Sequence, residues 1–161
     1  MTEVSLKSLI CPVFYDIHRD IKAGNHLEYW LKGGRGSTKS SFISIEIILN
    51  LIKDPNIHAV CYRKIGNKLE TSVYNQIKWA INALGLKAFF RYYKNPLKIE
   101  YIPTGQQILF FGLDDPENSR SIKLEFGYIK ILWFEELKQF DGMKEIRDVK
   151  QSVVRGGDEA L

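Results

Sequence analysis

Residues 27–52, LEYWLKGGRGSTKSSFISIEIILNLI, join two apolar runs through a cluster of glycines. A short apolar and aromatic run, Leu27 to Leu31, is joined by a glycine-rich turn to a longer apolar run, Ser40 to Ile52. The first run is typical of a buried strand, and the second is apolar nearly all round, as expected of a helix packed against a sheet. The stretch therefore predicts a strand, a tight turn and a helix in succession.

The turn resembles a phosphate-binding loop. Backbone N–H groups, a lysine and a metal-binding hydroxyl hold a triphosphate, and G-x-x-x-x-G-K-[ST] between strand and helix supplies all three. Gly33, Lys39 and Ser40 match this pattern, but Thr38 stands where it has a glycine. A Cβ there hinders close backbone approach, although the other glycines keep the turn permissive. The alternative is a plain turn whose lysine faces solvent. The residues expected to hold the phosphates at the helix N-terminus are Gly33, Gly34, Arg35, Gly36, Ser37, Thr38, Lys39 and Ser40.

A second pattern follows a later apolar run. Four apolar residues, 131–134, are followed by two adjacent acids, Glu135 and Glu136. A nucleotide hydrolase needs a carboxylate at a strand end to hold Mg²⁺, and many use a second carboxylate to activate water. Alone, two acids after a strand are more often a solvated strand end. Together with the loop they predict that Glu135 and Ser40 hold Mg²⁺ and that Glu136 is the general base.

The remaining periodicity predicts alternating strands and helices. Gly85 is expected to end a helix, and Pro103-Thr104-Gly105 to form a hairpin turn. The pattern favours an α/β fold of the P-loop NTPase type, a mainly parallel sheet with helices on both faces and a β-hairpin insertion. The strands are expected at Ile57–Arg63, Ala88–Tyr93, Leu97–Ile102, Gln106–Leu113 and Tyr128–Phe134, and the further helices at Leu69–Leu84 and Asp141–Val149.

Composition is that of one folded domain. The chain has 161 residues, of which 45% are hydrophobic and 26% charged, so a sizeable core is expected and wholesale disorder is not. No apolar run approaches the roughly 18 residues of a membrane span, and the N-terminus does not resemble a signal peptide, so no membrane partner is expected. Cys11 and Cys61 lie far apart in the sequence, which favours free thiols in a cytosolic protein.

The charge is unevenly distributed. The net charge is +4, yet the segment from Arg63 to Lys98 carries eight basic residues against one acid, Glu70. That segment is therefore +7 and the remainder −3. A segment with such an excess of basic residues suits contact with a polyanion. A solvated lysine-rich surface would explain the same excess equally well.

Several stretches resemble one family in the order in which they occur. These are LKGGRGSTKSS, VCYRK, KLETSVYNQIKWAINALGL, PTGQQILFFGLDDPENSRSIK and ILWFEELKQF. From about Tyr29 to Arg155 the chain is similar to the N-terminal ATPase part of phage terminase large subunits, most closely the PBSX-type group. The loop and LWFEEL are the specific parts. The family tolerates departures at the glycine before the lysine, as at Thr38, and commonly has glutamate at the position of Glu135.

The resemblance implies a motor that hydrolyses ATP with Mg²⁺ and pumps double-stranded DNA into a procapsid. Its implied partners are the portal protein, a small terminase subunit and further copies in a ring, in the host cytoplasm at the portal. The family keeps an arginine at the place of Arg35, which implies a catalytic role on the γ-phosphate beside Lys39 and Glu136. Arg63 and Arg155 are weaker candidates for contacts with a neighbouring subunit or DNA.

Large terminase subunits usually also carry a nuclease domain with clustered acids, and this chain has no such cluster. The expectation is therefore an ATPase domain over residues 1–161 that is incomplete at its C-terminal end, with weak ATPase and no nuclease activity. Two alternatives remain open. One is a truncated module that binds nucleotide without turnover, and the other is a different nucleotide hydrolase, such as a helicase-like or kinase-like enzyme.

Overall fold

The computed structural model describes residues 4–115 and 122–153. The helices are α1 (Leu6–Leu9), α2 (Tyr15–Ala23), α3 (Lys39–Lys53), α4 (Asn75–Ala83) and α5 (Met143–Val153), and the strands are β1 (Ile57–Arg63), β2 (Phe90–Lys94), β3 (Leu97–Tyr101), β4 (Gln106–Gly112) and β5 (Tyr128–Phe134). Helices and strands alternate only between α3 and β2; elsewhere in the described residues helices follow helices and strands follow strands, which corrects the expected alternation. A π-helical turn, Glu70–Tyr74, leads directly into α4. The bounds of β1 and β5 are those predicted.

The five described strands form one sheet in the order β2-β3-β4-β1-β5. β1 pairs in parallel with both β4 and β5, whereas β2 with β3 and β3 with β4 are antiparallel. The sheet is therefore mixed, and the expectation of a mainly parallel sheet needs correction. The reason is that β2, β3 and β4 are joined by short hairpin turns, and a short turn can only reverse the chain. The α/β class is confirmed.

Helices cover both faces of the sheet because side chains along β1 alternate between two cores. Ala59 and Cys61 lie in the larger core, which α3 and α4 complete with residues such as Ile45 and Ile81. Val60 and Tyr62 lie in the smaller core, to which α5 contributes Ile146 and Val153. This arrangement leaves the carboxyl ends of β1 and β5 side by side at one end of the sheet.

A buried glutamine fixes the far end of α3. The Gln106 side-chain amide donates to the carbonyl oxygens of Leu51, Asp54 and Ile57, at 2.8, 2.7 and 2.7 Å. Its own oxygen accepts from the Thr104 hydroxyl at 2.8 Å. Because buried polar groups stabilise only when they are paired, this network locks the C-terminal end of α3 onto the sheet. The opposite end of α3 is thereby aimed at the carboxyl ends of β1 and β5.

The strand predicted at Leu27–Leu31 is not observed. These residues have no regular secondary structure, and Leu27 and Trp30 are each 48% exposed. Side chains anchor the segment instead: the Tyr29 hydroxyl donates to Asp20 of α2 at 2.6 Å, and Glu28 forms an ion pair with Lys150 of α5. An apolar run becomes a strand only beside a strand with which it can share a ladder, and within the described sheet β5 is an edge that this segment does not join.

Candidate functional site

One cavity of about 1090 Å³ lies between the glycine-rich loop and the end of β5. Its walls include every residue that the sequence singled out for nucleotide and metal. These are Gly33, Gly34, Arg35, Gly36, Ser37, Thr38, Lys39, Ser40, Glu135 and Glu136. The fold thus brings together two patterns that are far apart in the sequence, while the chemical role of each residue stays a prediction.

The loop wraps around the ammonium group of its own lysine. Lys39 is the first residue of α3, and its Nζ donates to the carbonyl oxygens of Gly33 and Gly34 at 2.5 and 3.2 Å and to the Ser37 hydroxyl at 2.8 Å. A side chain at position 33 would be crowded, because its Cβ would lie 3.0 Å from Ser37 Oγ and 3.3 Å from Lys39 Nζ. Gly33 therefore lets the loop close tightly around the lysine.

Thr38 has the left-handed conformation that glycine favours. Its φ of 60° and ψ of 14° lie where a β-branched residue is a genuine outlier. Its hydroxyl donates to the Ser37 carbonyl at 2.7 Å and does not cap α3. The sequence pattern expects glycine at this place, and the backbone conformation supplies the physical reason. Thr38 adopts the required turn at a cost in strain.

Replacing Thr38 with glycine should relieve that strain. The left-handed conformation costs an L-residue about 1–2 kcal/mol, and the greater freedom of glycine in the unfolded chain offsets part of the gain. We expect Thr38→Gly to raise the free energy of unfolding by about 1 kcal/mol in urea titrations. Thr38→Ala is the matched control, since alanine keeps a Cβ in the same conformation. A glycine variant no more stable than the alanine variant would contradict the strain.

Glu135 is a largely buried carboxylate beside an arginine. It directly follows β5, and its N–H donates to the Tyr62 carbonyl of β1 at 3.0 Å. Its Oε2 lies 3.0 Å from Arg63 Nε, with only 17% of the Glu135 side chain exposed. Burial raises the pKa of the Glu135 carboxyl, the positive charge of Arg63 and the Ser72 hydroxyl lower it, and Glu136 raises it again. The positive charge of Arg63 therefore stabilises the ionised form of the Glu135 carboxyl.

Glu136 occupies a different environment from its neighbour. Its φ of 56° and ψ of 55° are left-handed, and the chain turns there from β5 into a 3₁₀ turn, Leu137–Gln139. The turn leaves the Glu136 side chain 41% exposed, with Lys138 Nζ 3.7 Å from its Oε2. A strained conformation in a non-glycine residue is a feature found at functional sites. Two adjacent acids thus differ in burial and in partner, as acids with different roles do.

The structure gives Arg63 a partner that the sequence did not reveal. The resemblance suggested Arg63 and Arg155 as contacts to a neighbouring subunit or DNA. Arg63 instead pairs with Glu135 within the chain and has only 13% of its side chain exposed, whereas Arg155 lies outside the described residues. The sequence shows that Arg63 ends one strand and that Glu135 directly follows another. It does not show that these two strands are neighbours in the sheet, so the ion pair could not be predicted from it.

Two aromatic residues near the N-terminus, Phe14 and Tyr15, do not line the cavity. Phe14 is buried and stacks on Phe42 with ring centroids 4.7 Å apart, and the Tyr15 hydroxyl donates to the Lys7 carbonyl at 2.9 Å. Both residues therefore help to pack the N-terminal helices onto α3.

The cavity wall also includes an acid that the sequence did not single out. Glu46 of α3 is buried and pairs with His18 of α2, while the Asn50 amide donates to its Oε2 at 3.3 Å. Burial raises the pKa of the Glu46 carboxyl, and His18 and Asn50 lower it. This pair fastens α2 to α3 beside the loop.

The basic segment is largely engaged with neighbours. Lys64 pairs with Asp141 and Glu145 at 2.9 and 2.6 Å, and Lys94 pairs with Glu70 at 2.7 Å. Other members lie over aromatic rings, 4.8–5.7 Å from the ring centroids; these are Lys78 over Tyr74 and Tyr92, and Lys98 over Tyr93. Contact of this segment with a polyanion stays a prediction.

Residues 4–115 and 122–153 contain no group of three or more His, Cys, Asp or Glu side chains that could hold a metal ion together. A metal in the cavity would therefore take most of its ligands from water and from a bound ligand. In the same part of the chain, no helix is both long and apolar enough to cross a membrane.

The sequence matches known proteins over nearly its whole length. The model of a family described as "Phage terminase large subunit" matches residues 25–159. The chain is 39% identical over 155 residues to the "Terminase, large subunit" of Bacillus phage SPP1, an alignment that covers 96% of this chain and 36% of that protein. It is 29% identical over 119 residues to the "PBSX phage terminase large subunit" of Bacillus subtilis (strain 168), covering 73% of this chain and 26% of that protein. The chain thus spans about a third of the length of the first relative, and it belongs to the phage terminase large subunit family.

Proposed function

We propose that this chain is the ATP-hydrolysing part of a viral DNA-packaging motor, with Mg²⁺ as cofactor. The observation that carries the proposal is the single cavity whose walls contain the glycine-rich loop, Lys39 and the acidic pair Glu135 and Glu136. Membership of the terminase large subunit family supports the same activity. Because the chain spans about a third of the length of its relative, the activity of a whole terminase is a proposal for this chain.

The loop and the start of α3 are proposed to bind the triphosphate. The N-terminus of a helix presents unpaired N–H groups and the positive end of its dipole, which favours an anion. The ammonium of Lys39 is held by three loop oxygens, and phosphate oxygens compete with these for the same donors. Arg35 is exposed in the same loop, and its guanidinium is proposed to act on the γ-phosphate.

Ser40 and Glu135 are proposed to hold the metal. The fit rests on Glu135 Oε2, a buried oxygen that makes no directed hydrogen bond within the described residues. A hard oxygen ligand of this kind suits Mg²⁺. When bound, Mg²⁺ neutralises charge on the phosphate oxygens during transfer. The hydroxyl of Ser40 lines the same cavity one residue after Lys39.

Glu136 is proposed to be the general base that accepts a proton from the attacking water. Its partial exposure supports this assignment, because a base must be reached by water, whereas Glu135 is largely buried and paired. The two carboxylates also have different partners, Lys138 for Glu136 and Arg63 for Glu135. Each acid therefore has one proposed task.

The proposed partners follow from the family. Double-stranded DNA, the portal protein of a procapsid, a small terminase subunit and further copies of the large subunit in a ring are proposed, in the host cytoplasm. The basic segment from Arg63 to Lys98 is a candidate for contact with DNA, since its net charge suits a polyanion.

Phosphate release tests the proposal. The purified chain should release phosphate from ATP slowly, only with Mg²⁺, and faster when portal-bearing procapsids and double-stranded DNA are added. Nucleotide binding without phosphate release under any of these conditions would instead support a non-catalytic module. Stimulation by DNA but not by portals would favour a different nucleic-acid-dependent ATPase.

A further inference from the structure

Arg63 and Glu135 form an ion pair of an unusual kind. Arg63 Nε and Glu135 Oε2 lie 3.0 Å apart, and only 13% and 17% of the two side chains are exposed. Neither of these two buried atoms makes a directed hydrogen bond within the described residues. The contact between these two atoms is therefore held mainly by charge, and another positive group that reaches Glu135 can compete for it.

The sheet fixes the backbones of the two residues, and the Ser72 hydroxyl is a second partner of the Glu135 side chain. β1 and β5 are parallel neighbours, and the Glu135 N–H donates to the Tyr62 carbonyl just before Arg63. The adjacent Lys64 is committed elsewhere, since its ammonium pairs with Asp141 and Glu145. Both Arg63 and Glu135 line the cavity, so a ligand that enters it lies beside the pair.

A buried carboxylate needs a positive partner, and two positive partners compete for it. Loss of the partner leaves an uncompensated buried charge, which strongly destabilises a fold. A guanidinium and a divalent cation on the same carboxylate would repel each other at a few ångströms in a medium less polar than water. The presence of Arg63 at Glu135 Oε2 therefore weakens the binding of a metal ion to the same oxygen.

We propose that Arg63 is a positioning residue that holds Glu135 until a divalent cation replaces it. Arg63 keeps the carboxylate charged, oriented and compatible with the fold in the metal-free protein, and the incoming cation displaces the guanidinium, which stays on the cavity wall. Metal binding is thereby coupled to a movement of a positive group beside the nucleotide. This inference rests on the proposed function, because it requires that the cavity takes up a metal with its nucleotide.

Thermal melts in EDTA measure the pair without metal or nucleotide. Arg63→Gln should lower the melting temperature by roughly 5 °C, because it leaves Glu135 buried without a counter-charge. The same substitution in a Glu135→Gln background should cost much less, since no charge is left unpaired. Lys64→Gln is the matched control, because it removes the neighbouring positive charge and two ion pairs without touching Glu135. Its effect should be the same in both backgrounds.

Titration with a fluorescent ATP analogue, in Mg²⁺ and in EDTA, measures the exchange. The factor by which Mg²⁺ tightens binding should be roughly fivefold larger in Arg63→Gln than in the parent, because the metal no longer competes with a guanidinium. Arg63→Lys, which keeps the charge, should behave as the parent, as should Lys64→Gln. Arg63→Lys keeps the test informative if Arg63→Gln folds poorly. If Mg²⁺ tightened binding to Arg63→Lys more than to the parent, the proposed replacement of Arg63 by the metal would be contradicted.

The outcomes separate the two proposals. If the parent binds the analogue but Arg63→Gln and Lys64→Gln have the same Mg²⁺ factor, the inference is overturned and the nucleotide site stands. A smaller factor in Arg63→Gln would also overturn it, because Arg63 would then assist the metal instead of excluding it. If the parent binds no analogue at all, the proposed function fails and the inference fails with it.

Discussion

Lys39→Ala should weaken nucleotide binding by at least roughly 100-fold and abolish phosphate release. The ammonium is the positive group that the loop holds at the start of α3, where three oxygens lie within 3.2 Å of it. Charge-assisted hydrogen bonds to phosphate contribute about 1.5–3 kcal/mol each, and a loss of that size for two contacts exceeds a factor of 100. Equilibrium titration with a fluorescent ATP analogue and a phosphate-release assay measure the two effects.

The control for this variant lies on the same helix. Lys53 is the exposed last residue of α3, so Lys53→Ala removes the same charge from the same helix at the end away from the cavity. Its nucleotide affinity should equal that of the parent. Lys53→Ala should melt within a few degrees of the parent, because surface substitutions usually change stability by less than about 0.5 kcal/mol. Unchanged affinity in Lys39→Ala would refute the phosphate-binding role of the loop.

Glu136→Gln should separate binding from hydrolysis. The amide has nearly the same size as the carboxylate but cannot accept a proton from water, so the single-turnover rate should fall by roughly 100- to 10,000-fold. Nucleotide affinity should stay the same or increase slightly, because one negative charge beside the phosphates is removed. Rapid-quench measurements of a single turnover, with the analogue titration alongside, test both parts.

Glu100→Gln is the matched control for Glu136. Glu100 lies on β3, opposite Arg91 of β2 and outside the cavity, so this substitution removes a carboxylate remote from the proposed chemistry. Its rate should equal that of the parent. Equal rates for Glu136→Gln and the parent would reduce Glu136 to an exposed acid in a strained turn, and loss of binding in Glu136→Gln would assign it to nucleotide binding instead.

Local patterns along the chain predicted most of the secondary structure. β1 and β5 have their predicted bounds because each contains β-branched and aromatic residues, most densely in β5, and is ended by charged residues. The helix after the glycine-rich turn was predicted at Ser40–Ile52 and observed at Lys39–Lys53, because an all-round apolar helix of this length has few alternatives. Where a helix or strand is determined by its own side chains, its local sequence is sufficient to predict its bounds.

The failed expectations depend on neighbours that local patterns do not contain. Leu27 to Leu31 has the composition of a strand, yet a strand exists only where another strand offers a ladder. The mixed sheet has the same origin: hairpin turns fixed the antiparallel pairs, but only the folded sheet set the order in which β4, β1 and β5 lie side by side. Pairing between distant segments is a property of the whole chain.

Local sequence patterns were enough to predict the candidate loop, the acidic pair and the α/β class, because each depends on residues close together along the chain. The folded chain was needed to show that Arg63 faces Glu135, that Thr38 adopts a glycine conformation, and that the loop and the acids share one cavity. The physical reason is that ion pairs, strain and cavities arise from the meeting of segments, and burial gives such meetings their strength.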